Sequence, residues 1–125
     1  MSAGGQRPTL LVVDDEPGIR SALQRSLRRE PYEVLTAESL AAALRLLRER
    51  PVDLVLSDHR MPGGSGLELL REVAAHWPGI ARVLLTGFPG DVDPEEIRRI
   101  GIRAVVAKPW DDAALKRALA DALAP

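Results

Sequence analysis

Five residues of this chain stand where short apolar runs end, and together their types fit one chemistry. Asp14 and Asp15 follow Thr9 to Val13 (TLLVV), Asp58 follows Leu54 to Leu56 and Ser57, Thr86 ends Arg82 to Thr86 (RVLLT), and Lys108 follows Ala104 to Ala107. Brought to one place, the three carboxylates would raise one another's pKa and favour protonation unless a cation shared the site. An oxygen-only cluster without His or Cys suits a hard cation. Mg²⁺ is the expected ion, because it takes few protein carboxylates and fills its shell with water and phosphate oxygens. A carboxylate nucleophile, a divalent ion, a hydroxyl and an ammonium make up a phosphoryl-transfer site, where positioning and charge neutralisation do most of the work. Asp58 would attack, Lys108 and the ion would neutralise the phosphoryl oxygens, and the Thr86 hydroxyl would donate to one of them.

That chemistry needs elements that deliver the five residues to one edge. The run from Thr9 to Val13 is apolar and β-branched, and Pro17 behind the acidic turn suits the first turn of a helix. From Pro17 to Arg29, Ile19, Leu23 and Leu27 recur every four residues against charged neighbours, the stripe of an amphipathic helix. A second strand is expected over Glu33 to Ala37, a second helix over Ser39 to Glu49 before Pro51, and a third strand over Leu54 to Leu56. Pro62, Gly63, Gly64 and Gly66 mark a loop, and Leu67, Leu70 and Val73 carry a helix to the Pro78, Gly79 turn. Arg82 to Thr86 reads as strand four. Asp93 is the expected cap of a short helix ending near Gly101, with Pro94 first and Glu96 reaching back to the cap. Ala104 to Ala107 reads as strand five, and Asp111 caps a last helix through Leu123.

Strands that are mostly apolar on both faces and alternate with helices imply a parallel sheet covered on two sides. Right-handed crossovers then lead to a doubly wound α/β fold, for which the flavodoxin-like five-stranded order 2-1-3-4-5 is a common solution, and such sheets bind ligands beyond the carboxyl ends of their strands. One domain over residues 9–124 is expected, with residues 1–8 a disordered leader. The chain has 125 residues, 46% of them hydrophobic and 28% charged, which suits one packed domain and neither a disordered nor a membrane class. Fifteen arginines are spread among eighteen acidic residues for a net charge of −1, so the basic field of a nucleic-acid binder is missing. There is no cysteine, hence neither a disulfide framework nor a cysteine metal site. No signal-peptide pattern or membrane-length apolar run occurs, which makes a cytoplasmic location the default expectation.

The segments VVDDEPGIR, DLVLSDHRMPGGSGLELL, VLLTG and VVAKPW stand in an order and spacing that resemble the bacterial response-regulator receiver domain, of the chemotaxis-receiver kind, across Thr9 to Leu123. The resemblance implies a phosphoacceptor switch of a two-component system that takes its phosphoryl group from a histidine kinase or phosphotransfer protein onto Asp58. It implies Mg²⁺ held by Asp15 and Asp58 directly, by Asp14 through water, and by the backbone carbonyl of Arg60, with Thr86 and Lys108 on the phosphoryl group. Such a domain catalyses its own phosphorylation and dephosphorylation but is a signalling module, not an enzyme with a separate substrate. It signals through the face of helix four, strand five and helix five, where relatives often pair as homodimers. A cis peptide between Lys108 and Pro109 is common in the family. An effector domain outside this chain is compatible with its end, while direct contact with nucleic acid or membrane is not expected.

Two departures stand out. Where the family usually has Tyr or Phe, three residues before the lysine, this chain has Val105, so the loop Gly87 to Asp91 with Phe88 is expected to carry the signal to helix four. Trp110 replaces the common Phe after Lys-Pro. Arg60 and Phe88 occupy positions that tune phosphoaspartate hydrolysis in the family, and slow to intermediate self-dephosphorylation is expected. His59 and His76 read as exposed loop residues. A haloacid-dehalogenase-type phosphatase would place its nucleophile after the first strand in an Asp-x-Asp-x-Thr pattern, and this chain has Asp14, Asp15, Glu16, Pro17, Gly18 there. The acidic residues of that loop would also repel a flavin phosphate. The alternative kept beside the main reading is a non-phosphorylated pseudo-receiver acting as a protein-interaction module.

Overall fold

In the computed structural model, which describes residues 7–125, strand and helix alternate from Thr9 to Leu123. The order is β1 (Thr9–Val13), α1 (Pro17–Leu27), β2 (Glu33–Ala37), α2 (Leu40–Glu49), β3 (Leu54–Asp58), α3 (Gly66–His76), β4 (Ala81–Thr86), a 3-10 turn (Pro89–Asp91), α4 (Pro94–Ile100), β5 (Ile102–Ala107) and α5 (Asp112–Leu123). The five strands form one parallel sheet in the order β2-β1-β3-β4-β5, as the sequence predicts. Of the leader expected over residues 1–8, residues 1–6 lie outside the described residues.

Alternation along the inner strands sorts the core into two layers. Leu10 and Val12 of β1, Leu54 and Leu56 of β3, and Val83 and Leu85 of β4 pack with Leu23 and Leu27 of α1 and Leu115 and Leu119 of α5. Leu11 and Val13, Val55 and Leu84 pack on the other side with Ala43 and Leu47 of α2 and Leu69, Leu70 and Val73 of α3. Each fully buried Leu contributes about 1.5–3 kcal/mol of transfer free energy. The edge strands carry less apolar surface: β2 is half-buried over Glu33 to Thr36, and Arg103 and Ala107 of β5 face outward.

Local chemistry sets the helix ends. Ser39 caps α2 through the N–H of Ala42, and Asp111 caps α5 through that of Ala114. Ser65 and Glu68 form a reciprocal capping box at the start of α3, an S-x-x-E signal present in the sequence and not read from it above. Asp93 caps α4, but it accepts from the N–H of Glu95. Glu96 does not reach back to it, because its carboxylate is held by Arg71 of α3 at 2.6 Å and Arg99 at 2.7 Å. The helix expected through Arg29 ends at Leu27, where the Arg28 N–H turns to the Arg25 carbonyl three residues back, and Pro31 follows close behind. β3 runs on through Ser57 and Asp58, and β5 starts at Ile102, earlier than the apolar run alone suggests, because parallel pairing tolerates the outward-facing Arg103 on an edge strand.

Candidate functional site

Register brings the acidic residues together. Val13 pairs with Ser57 across β1 and β3, so Asp14 and Asp58 leave the sheet side by side. β1 lies between β2 and β3, which makes this gap the point where the chain switches direction across the sheet and where such folds place ligands. Thr86 ends β4 opposite Ala107, the last residue of β5, so Lys108 stands just beyond the end of that strand. One carboxylate oxygen from each of Asp14, Asp15 and Asp58 can be chosen so that all lie within 4.8 Å of one another.

Asp14 is fully buried and Asp58 is 6% exposed, while Asp15 is half-buried. Asp14 Oδ1 accepts from the N–H of Glu16 at 2.9 Å, and the Arg20 guanidinium donates to its carbonyl at 2.7 Å. Lys108 Nζ donates to Asp14 Oδ2 at 3.1 Å and to Asp58 Oδ1 at 2.8 Å, bridging the two. One ammonium against these carboxylates leaves an excess of negative charge. Burial, reinforced by the Asp14 charge, therefore pushes Asp58 above the ordinary carboxylate pKa in spite of Lys108. Burial alone would lower the Lys108 pKa, but its hydrogen bonds to Asp58 and Asp14 outweigh that and hold it above the usual lysine value.

The donor set is all oxygen and over-charged, which fits a hard divalent cation and gives a soft one nothing to prefer. Thr86, 3% exposed, uses Oγ1 to accept from the N–H of Phe88 at 3.1 Å. A hydroxyl that accepts there still has its own proton to donate. Arg60 lies two residues after Asp58, and its guanidinium pairs with Asp91 in the 3-10 turn at 3.0 Å. The Lys108–Pro109 peptide is cis.

Close packing beneath Asp58 depends on a glycine. A Cβ at Gly66 would lie 2.0 Å from the Asp58 carbonyl oxygen, so α3 can start this near the nucleophile only without a side chain. Gly66 N–H donates to the His59 carbonyl at 2.8 Å, fixing the loop between them. His59 is half-buried with Nδ1 enclosed and without a partner among the described residues, unlike the exposed residue expected, whereas His76 is exposed beside Glu72 but ends α3 instead of lying in a loop. Val105 is half-buried and packs in the layer of α2 and α3, and Phe88 is 66% exposed. The role of Gly66 carried no sequence signal, because it depends on a contact between a helix start and a strand end.

Comparison with known proteins agrees with this geometry. The response regulator receiver domain family matches residues 10–120. The hydrogenase transcriptional regulatory protein HoxA of Cupriavidus necator is 41% identical over 84% of this chain, and the transcriptional regulatory protein GlrR of Escherichia coli is 40% identical over 91%. The matched region makes up 22% and 26% of those proteins, so the chain spans about a quarter of their length. Among solved structures, the signal receiver domain of an HD domain-containing protein from Pseudomonas fluorescens superposes with a TM-score of 0.86 at 38% identity, covering 94% of both chains. The response regulator TrrA of Thermotoga maritima, solved in complex with Mg²⁺ and BeF, superposes with a TM-score of 0.85 at 34% identity over 93% of this chain and 99% of that one.

Proposed function

This chain belongs to the response regulator receiver domain family, and from that premise we propose that it is a phosphoacceptor switch that takes a phosphoryl group from a kinase's phosphohistidine onto Asp58. The observation that carries the reading is the Lys108 ammonium bridging Asp14 and Asp58 at the switch point of the sheet.

Asp58 Oδ forms the new bond to phosphorus while the imidazole nitrogen of the donor leaves with the electron pair of the bond that breaks. The Lys108 ammonium, already 2.8 Å from Asp58, pairs with a phosphoryl oxygen, and the Thr86 hydroxyl donates to another. Asp15 and Asp58, with Asp14 through water and the Arg60 carbonyl, would hold Mg²⁺. When bound, the ion supplies positive charge that offsets both the carboxylate repulsion and the phosphoryl oxygens. Burial keeps Asp58 away from bulk water. The domain thus promotes its own modification, and its output is a change of surface, not a released product.

With Val105 in place of a ring, coupling is assigned to Thr86 and Phe88: a phosphoryl group that draws on Thr86 Oγ1 perturbs the acceptor of the Phe88 N–H and so the turn ahead of α4. The face of α4, β5 and α5 then changes and would be the surface for an effector or a second copy. An effector segment beyond this chain is supported by the greater length of its relatives. A cytoplasmic site of action fits partnership with a kinase, and no described helix is long and apolar enough to cross a membrane. The pseudo-receiver alternative finds no support, since the carboxylates and the lysine are all retained and Lys108 bridges Asp14 and Asp58.

The test is incubation with acetyl phosphate, with and without Mg²⁺, followed by intact mass of the wild type and Asp58→Asn. A single phosphoryl adduct that needs the ion and is absent from the variant is expected. No adduct under either condition overturns the reading.

A further inference from the structure

Lys108 is tethered on both sides. Before its side chain, its own N–H donates to the Thr86 carbonyl at 2.8 Å, the last ladder bond between β5 and β4. Two residues after it, Trp110 is half-buried against the layer of α1 and α5. Its indole Nε1, a donor only, reaches Ser26 Oγ of α1 at 3.1 Å and Asp112 Oδ1 of α5 at 3.2 Å. Ser26 Oγ in turn donates to the same Asp112 oxygen at 2.7 Å. The three groups close a ring in which the hydroxyl accepts once and donates once. Asp112 also lies in the first turn of α5, where negative charge is favoured.

This ring joins three elements that the ladder of the sheet does not join: α1, the segment after β5, and α5. A phenylalanine at position 110 would keep an aromatic ring, though a smaller one, in the same apolar place but could not donate. The lysine stem is long and flexible, so the place of its ammonium depends on where the backbone that carries it is held.

We propose that Trp110 is a positioning residue for phosphoryl binding, holding the Lys108 segment through Ser26 and Asp112 so that the ammonium stays at the Asp14 and Asp58 edge. The inference rests on the phosphoacceptor reading and extends it to residues outside the site. Ser26 and Trp110 touch neither the acidic cluster nor the phosphoryl position.

The experiment measures beryllofluoride affinity by calorimetry at saturating Mg²⁺, and Mg²⁺ affinity alone, for wild type, Trp110→Phe, Ser26→Ala and the double variant. Each single change is expected to weaken beryllofluoride binding about threefold to tenfold, the range for loss of one hydrogen bond. The double variant should be no weaker than the sum of one shared network allows, close to either single. Mg²⁺ affinity should not move, because the carboxylates stay in place. A lower melting temperature with unchanged beryllofluoride affinity overturns the inference and leaves Trp110 a packing residue. Equal losses of beryllofluoride and Mg²⁺ affinity overturn it too, since the whole site would then have shifted. A wild type that binds Mg²⁺ but no beryllofluoride overturns the phosphoacceptor reading, and this inference with it.

Discussion

Lys108 Nζ lies 2.8 Å from Asp58 Oδ1, yet the Asp58 pKa is raised, because burial and the neighbouring Asp14 outweigh one shared ammonium. The site is therefore built around a carboxylate whose ionised form costs stability, as expected where function sets the choice of residue.

Removing that charge should stabilise the fold. With its native pKa above the unfolded one, Asp58 binds its proton more tightly in the folded protein, so stability falls as pH rises from the ordinary carboxylate range through the raised value. Asp58→Asn should melt a few degrees above wild type at neutral pH without divalent ions, and the gap should close in acid. Thermal melts across that range give the answer; a gap that stays constant down to acid pH would contradict the linkage.

Lys108→Ala should act in the opposite direction. It leaves buried Asp14 and Asp58 facing each other without the ammonium, a loss of about 3 kcal/mol on the scale of broken buried pairs, part of which protonation of Asp58 recovers. Mg²⁺ should raise the melting temperature of this variant more than that of wild type, where the lysine already offsets part of the same negative charge. Equal shifts would show that the ion and the ammonium do not share those carboxylates.

Gly66→Ala tests the packing under the nucleophile. The added methyl meets a backbone oxygen at 2.0 Å, and backbone on both sides gives little room to yield. A destabilisation of about 3 kcal/mol, at the upper end for overpacking, is expected in denaturant melts, together with weaker Mg²⁺ binding because Asp58 must move. A variant as stable as wild type would show that α3 can start farther from β3.

The coupling route predicts a localised response. Phe88 N–H donates to Thr86 Oγ1, and beryllofluoride with Mg²⁺ should change amide exchange over Gly87 to Asp91 and into α4. Thr86→Val, which has no hydroxyl, should abolish the change while leaving Mg²⁺ binding intact. Unchanged exchange in wild type on beryllofluoride binding would rule the loop out as the carrier.

Much of this was legible in the sequence because it depends on neighbours along the chain. The apolar strands, the proline at the start of α1, and the caps Asp93 and Asp111 follow from residue type and spacing, and they fix a parallel sheet with its carboxyl edge loaded with Asp14, Asp15, Asp58, Thr86 and Lys108. Where the expectation for Glu96 failed, a long-range partner was responsible: Arg71 of α3 offers a charge that the cap backbone cannot match.

Composition and periodicity by themselves determined the fold class, the strand order most compatible with it, and the set of residues that could do chemistry. Only the tertiary structure decided the rest: that the register of Val13 on Ser57 sets Asp14 beside Asp58, that one lysine serves both, that Gly66 must lack a side chain, and that Trp110 ties the segment after Lys108 to Ser26 and Asp112. Each of these is a contact between residues far apart in the chain. Its existence depends on strand register and on helix packing across the sheet, which a local pattern of residue types does not encode.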